Sequence, residues 1–139
     1  MTLFISRLTE TAKIPTRATE WSAGLDLYAD ETMTIPEYSR VWVRTGIALA
    51  LDPYHVGQVW PRSGLAGHGL DTSAGILDAD FRGEIKILLV NGTPHRKTVN
   101  AGERIAQLLI VPMARPNLIE VDALPASVRG EKGFGSSGV

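Results

Sequence analysis

The sequence predicts an all-β subunit, a jelly-roll-like β-sandwich, on three observations. Short apolar or alternating runs recur between turn signals, helical periodicity is nearly absent, and the eight prolines fall mostly between the strand candidates. Residues 3–8 and 25–29 form the first two runs. Residues 41–51 begin as a half-buried strand, because Val41, Val43 and Thr45 alternate with Trp42 and Arg44. Runs at 56–60 and 85–90 follow. Residues 105–111 are apolar on both faces apart from Gln107, so their outer face also needs cover, and a subunit interface is one way to supply it. Residues 118–121 are the last expected strand, and a short helical turn is expected around residues 63–67.

At 139 residues the chain has the size of one domain, and its 44% hydrophobic content is that of an ordinary globular protein. We expect residues 1–128 to form that domain and residues 129–139 a mobile arm, since four glycines in so short a stretch oppose regular structure. No apolar run approaches the roughly 18 residues of a membrane helix. Arg7, Glu10 and Lys13 interrupt the apolar N-terminus, so a cytoplasmic protein is expected, or a nuclear one if eukaryotic. The absence of cysteine excludes disulfides, thiolate nucleophiles and thiolate zinc sites. His55, His68 and His95 are scattered without metal-ligand spacing and read as loop or surface residues. A net charge of −1 gives no general attraction to nucleic acid, so basic groups for a polyanion must be concentrated locally.

Five segments carry candidate chemistry. In Ala23-Gly24-Leu25-Asp26-Leu27-Tyr28-Ala29, Asp26 is either turned to solvent by strand alternation or an anchor for a hydrated divalent cation. In Pro61-Arg62-Ser63-Gly64-Leu65-Ala66, the donor fork of Arg62, the Ser63 hydroxyl and the bare backbone of Gly64 suit phosphate, although an ordinary turn has the same composition. The segment from Gly75 through Ile76, Leu77, Asp78, Ala79, Asp80, Phe81, Arg82, Gly83, Glu84 and Ile85 to Lys86 and Ile87 reads as a hairpin around a polar turn. Its backbone amides could hold a base while Asp78 faces a water; a plain hairpin is the alternative. Gln107, within Gly102-Glu103-Arg104-Ile105-Ala106-Gln107, is an amide in an apolar strand that needs partners, either structural groups or phosphate oxygens. In the arm, Arg129, Ser136, Ser137 and the glycine amides could wrap a triphosphate while Phe134 stacks on a base, or the arm is a disordered tail. It lacks the Walker pattern G-x-x-x-x-G-K-S/T.

In order and spacing, AGLDLYA, PRSGLA, GILDADFRGE, GERIAQL and RGEKGFGSSG resemble the five motifs of the trimeric dUTPases, from Ala23 to Gly138. The resemblance implies a jelly-roll subunit in a homotrimer, with active sites at subunit interfaces closed by the arm. It implies magnesium-dependent hydrolysis of dUTP to dUMP and pyrophosphate, which keeps uracil out of DNA and supplies dUMP for thymidylate synthesis. By that correspondence Asp78 activates the attacking water and contacts the 3′-hydroxyl, and Phe81 packs on the sugar. Backbone at Gly75, Ile76, Leu77 and toward Lys86 reads uracil. Arg62, Ser63, Gly64 and Gln107 contact the phosphates or their waters, and Asp26 holds magnesium through water. Arg129 binds the terminal phosphate, Phe134 covers the base, and Gly135, Ser136 and Ser137 complete the wrap. The chain departs from the family pattern at Phe81, usually tyrosine, at Lys132, usually glycine, and at Ser137, usually threonine. In the related dCTP deaminases a catalytic glutamate lies about ten residues beyond the corresponding aspartate; Leu88 stands there. A non-catalytic binding module with the same fold is the reading from another class, disfavoured by the intact Asp26, Asp78 and Arg129.

Overall fold

Alternation of apolar and polar residues over short spans leaves this chain one economical way to bury its apolar faces, which is to stack antiparallel strands around a shared core. The computed structural model describes residues 1–134 and 138. Its strands are β1 (Phe4–Arg7), β2 (Leu25–Tyr28), β3 (Met33–Ile35), β4 (Arg40–Arg44), β5 (Ile47–Ala50) and β6 (His55–Trp60). After one helical turn, α1 (Ser63–Ala66), come β7 (Leu70–Ser73), β8 (Ile76–Leu77), β9 (Lys86–Asn91), β10 (Lys97–Val99) and β11 (Arg104–Pro112). The strands pair as β2-β11-β6-β8, β4-β9-β7, β1-β5 and β10-β3, and every pairing is antiparallel.

All four sheets feed one core. Leu27, Ile105 and Leu108 come from the first, Val43, Ile87, Leu89 and Leu70 from the second, Ile47 and Leu49 from the third, and Ile35 and Val99 from the fourth. Asn91, fully buried at the end of β9, donates from Nδ2 to the carbonyls of Ile35, Pro36 and His95 at 3.2, 3.0 and 2.8 Å. Its Oδ1 accepts from the backbone N–H and hydroxyl of Thr93. One amide thereby ties the end of β3 to the loop between β9 and β10. No helix among the described residues is long and apolar enough to cross a membrane.

The structure corrects four sequence expectations. The run 41–51 is two strands rather than one, broken at Thr45–Gly46 where Gly46 takes a left-handed φ of 66°. Residues 118–121 form no strand: Leu118 is 93% exposed and lies beside no partner strand. His55 opens β6 instead of sitting in a loop, its Nδ1 2.7 Å from Asp52 Oδ1. Finally, the segment from Gly75 to Ile87 is no hairpin. β8 pairs with β6, whereas β9 pairs with β4 and β7, so residues 78–85 carry the chain from one sheet to another. Ile85 is drawn to β5 on the way, its N–H donating to the Ile47 carbonyl at 2.9 Å.

Candidate functional site

That crossover shapes the larger of two clefts that matter. Gly75 precedes β8 and lies against β6: its carbonyl accepts from the Val59 N–H at 2.7 Å, and a Cβ at this position would stand 2.5 Å from the Val59 carbonyl oxygen. Only glycine allows this approach. Ala74 just before it holds a left-handed φ of 54°, a strained conformation for a residue with a side chain. Immediately after β8 the chain turns, with the Phe81 N–H donating to the Asp78 carbonyl at 3.1 Å.

Around this turn opens a cleft of about 600 Å³ lined by Trp42, Ala74, Ile76, Leu77, Asp78, Phe81, Glu84, Ile85 and Lys86. It therefore gathers Ile76, Leu77, Asp78, Phe81 and Lys86, all expected from sequence, with Gly75 at its edge. Its walls are largely apolar and aromatic, with the carboxylates of Asp78 and Glu84 and the amine of Lys86 among them, suited to a planar apolar group beside a polar one. Among the described residues no side chain hydrogen-bonds the Asp78 carboxylate, so its lone pairs are available to a ligand or water. Glu84 is engaged otherwise. Its carboxylate receives Arg44 Nε at 3.1 Å on both oxygens and the Gly46 N–H at 3.0 Å, fastening the end of the crossover to the β4–β5 break. The Glu84 hydrogen bond and charge raise the Arg44 guanidinium further above its ordinary value.

A second pocket, of about 180 Å³, is lined by Ala18, Ser22, Gly24, Asp26, Arg62, Ser63 and Gln107. It assembles because β2 and β6 both flank β11, with Gln107 opposite Asp26 on one side and Trp60 on the other. Gln107 Nε2 donates to the Pro61 carbonyl at 2.9 Å, which holds the chain entering α1. Asp26 is not turned to solvent: it is 8% exposed. Its Oδ1 accepts from Arg62 Nε at 3.0 Å, and its Oδ2 from Arg104 Nη1 at a longer 3.4 Å. The pair of guanidiniums leaves this corner net positive, a local concentration of basic charge in a chain of net charge −1.

Gly64 sits in α1 beside Ser63 with open space at its α-carbon, and it lines neither cleft. Arg129 and Phe134 are exposed and lie in neither. Gly135, Ser136 and Ser137 lie outside the described residues. Sequence reasoning did not single out Trp42, Glu84 or Arg104. Trp42 carried a signal, as a large aromatic on the wet face of an alternating strand, and Arg104 stood three residues before Gln107 in the same segment. Among the described residues no three His, Cys, Asp or Glu side chains are grouped to hold a metal.

An all-β subunit with an aromatic-walled cleft around one unengaged carboxylate, and a separate pocket lined by serine, glutamine and arginine, is of the class that binds a small ligand with an anionic end. Residues 10–138 match the profile of the family described as dUTPase. The chain is 44% identical to a probable deoxyuridine 5′-triphosphate nucleotidohydrolase of Schizosaccharomyces pombe, with all of both chains covered. Its structure resembles that of a dUTPase of Staphylococcus bacteriophage 80alpha solved with dUpNHpp, at a TM-score of 0.94, 30% identity and 99% coverage of each chain. It also shares its fold with a dUTPase variant of phage phi11 of S. aureus, described with a structural Mg(II) ion, at a TM-score of 0.84 and 24% identity over 91% of this chain and 100% of the other. The chain belongs to the dUTPase family.

Proposed function

We propose that in the hydrolysis of dUTP to dUMP and pyrophosphate, which is the activity of this dUTPase, Asp78 activates the water that attacks the α-phosphorus. The observation that carries this reading is the crossover cleft, where Ile76, Leu77, Phe81 and Lys86 line the walls with Asp78, whose carboxylate no side chain among the described residues hydrogen-bonds. Uracil lies against the backbone at Gly75, Ile76 and Leu77 and toward Lys86, and Phe81 packs on the deoxyribose. The Phe81 ring lacks a hydroxyl, so rejection of ribose rests on shape. Arg62, Ser63, Gly64 and Gln107 contact the phosphates or their waters, and the guanidinium of Arg62 offsets charge that develops on the transferring and leaving groups. Asp78 takes the proton of the attacking water, and no covalent intermediate forms. On the arm, Arg129 meets the terminal phosphate, Phe134 covers the base, and Gly135, Ser136 and Ser137 wrap the phosphates.

The donor set fits a magnesium ion that arrives with the nucleotide better than a resident one. Among the described residues Asp26 is the one carboxylate lining the small pocket, and magnesium keeps most of its waters and needs only one or two protein carboxylates. Asp26 would hold it through water, and the ion when bound neutralises charge on the triphosphate.

The working form in this proposal is a homotrimer with each site shared between subunits. Cross-strand register puts Trp60, Ile76, Leu109 and Val111 on the face of the β2-β11-β6-β8 sheet turned away from the core, where Trp60 is 52% and Ile76 62% exposed. Beyond β11, Leu118, Ile119, Leu124 and Val128 are also exposed. Apolar surface of this extent supports burial against other copies.

Asp78→Asn tests the chemistry, because the amide keeps the shape but cannot accept the proton. Turnover should fall at least about a thousandfold with dUTP binding retained. Parental turnover would remove Asp78 from the role. Light scattering tests the assembly: a species near the 15.0 kDa of one chain at micromolar concentration would refute the trimer.

A further inference from the structure

Arg82 is spent on backbone. Its Nη1 donates to two carbonyls of the same turn, Ala79 at 2.7 Å and Phe81 at 2.9 Å. Among the described residues it forms no ion pair, although Asp80 is two positions away. The turn it spans is closed on its other side by the Phe81 N–H to the Asp78 carbonyl, and Ala79 within it is buried in the core. The Phe81 ring in turn rests on the next glycine: a Cβ on Gly83 would stand 2.7 Å from Phe81 Cζ. Two residues that face the cleft, Asp78 and Phe81, are thus held by one four-residue turn whose carbonyls point to one guanidinium.

We infer that Arg82 is a positioning residue for the reaction, setting the turn that aims Asp78 at its water and Phe81 at the sugar. This rests on the proposed roles of those two residues. The need for such a device follows from the Asp78 carboxylate itself: among the described residues no side chain hydrogen-bonds it, so the backbone of the turn is what places its Cβ at the cleft. One nitrogen bridging two carbonyls fixes the relative orientation of two peptide planes, which a point contact to either would not. The carbonyls are only partly buried and can be rehydrated when the donor is lost, so geometry suffers more than folding.

The test is steady-state kinetics with dUTP and UTP, together with melting temperature, on Arg82→Met, Arg82→Lys and Arg82→Gln. Arg82→Met keeps an unbranched stem but has no donor. It should lower kcat for dUTP about thirtyfold with KM within about threefold, since displacements of an ångström near reacting groups cost up to about a hundredfold. It should also shrink the preference for dUTP over UTP about fivefold or more, a ratio that does not depend on how much enzyme is folded. Arg82→Lys restores a donor and should recover part of both losses. If Arg82→Met fails to fold, Arg82→Gln carries the test, because its amide is too short to bridge both carbonyls. A folded Met or Gln variant with parental kcat and parental dUTP preference overturns the inference, as does a variant whose kcat falls only in step with its folded fraction. Failure of the Asp78 reading looks different: Asp78→Asn would then keep its turnover, while the substrate preference of the Arg82 variants would still report on Phe81.

Discussion

Replacing Asp26 with asparagine separates the task the structure shows for its carboxylate, holding two arginines, from the task proposed for it, holding a hydrated ion. Its oxygens receive Arg62 Nε at 3.0 Å and Arg104 Nη1 at 3.4 Å, while the arginine side chains keep 28% and 48% of their exposure. The amide keeps the outline and can accept one of these bonds, but its NH2 end then meets a guanidinium, donor against donor. Removing one partner of a fully buried pair costs about 3–5 kcal/mol. Water reaches both guanidiniums here, so the cost falls to about 1–2 kcal/mol. For a chain of this size that is a melting decrease of roughly 3–8 °C at fixed protein concentration. The assay is a melting curve beside a magnesium titration of dUTP hydrolysis. If Asp26 also holds the hydrated ion, the half-saturating magnesium concentration should rise about tenfold, because the pocket has no second acid to take its place. A melting loss with an unmoved metal curve would leave Asp26 as a holder of arginines alone. An unchanged melting temperature and an unchanged metal curve together would refute the whole argument.

Gly75→Ala should cost stability by about 2 kcal/mol and raise KM for dUTP about tenfold, because the new methyl would press on the Val59 carbonyl oxygen 2.5 Å away and push β8 off β6; urea unfolding and kinetics check it, and a parental KM would deny the backbone a part in base reading. Removing residues 129–139 should leave the melting temperature within about 2 °C and lower kcat/KM at least about a hundredfold, since the described part of the arm packs on nothing in its own subunit while its proposed partner is the bound nucleotide; full activity after truncation would make the arm a tail.

The strand inventory was legible where one face is wet and one dry, as in β4 with its exposed Trp42 and Arg44 around buried Val43. It failed where the signal is not periodic. β3 and β10 are three residues each, too short to show alternation, and they are strands only because they pair with each other. The apolar run 118–121 looked like a strand because composition is local, whereas a strand requires a partner, and among the described residues this run pairs with none. The hairpin expected around Asp78 failed for a related reason, since two adjacent β segments can each find a better partner elsewhere, as β8 and β9 do. Of the candidate site, the motif residues and their division between two clefts follow from which strands flank β11 and β6. Trp42, Glu84 and Arg104 were missed because each enters through register and sheet topology, which no single motif contains.

The two clefts of one chain share no lining residue, yet dUTP is a continuous molecule whose base and triphosphate must be held at once. Of the described arm residues, Arg129 and Phe134 line neither cleft of their own subunit. In the trimer proposed above, a site completed by other copies resolves this. The nucleoside cleft of one subunit, the arginine-bearing pocket of a second and an arm then meet at an interface whose apolar residues, Trp60, Ile76 and the segment beyond β11, are already exposed for burial. Under that proposal assembly and chemistry become one equilibrium, because Asp78 and the Arg62 guanidinium would approach the same substrate only across a boundary between chains. Nucleotide that bridges the boundary stabilises the oligomer by mass action, and a subunit that folds correctly but alone carries every protein group needed for the reaction without the geometry to use them.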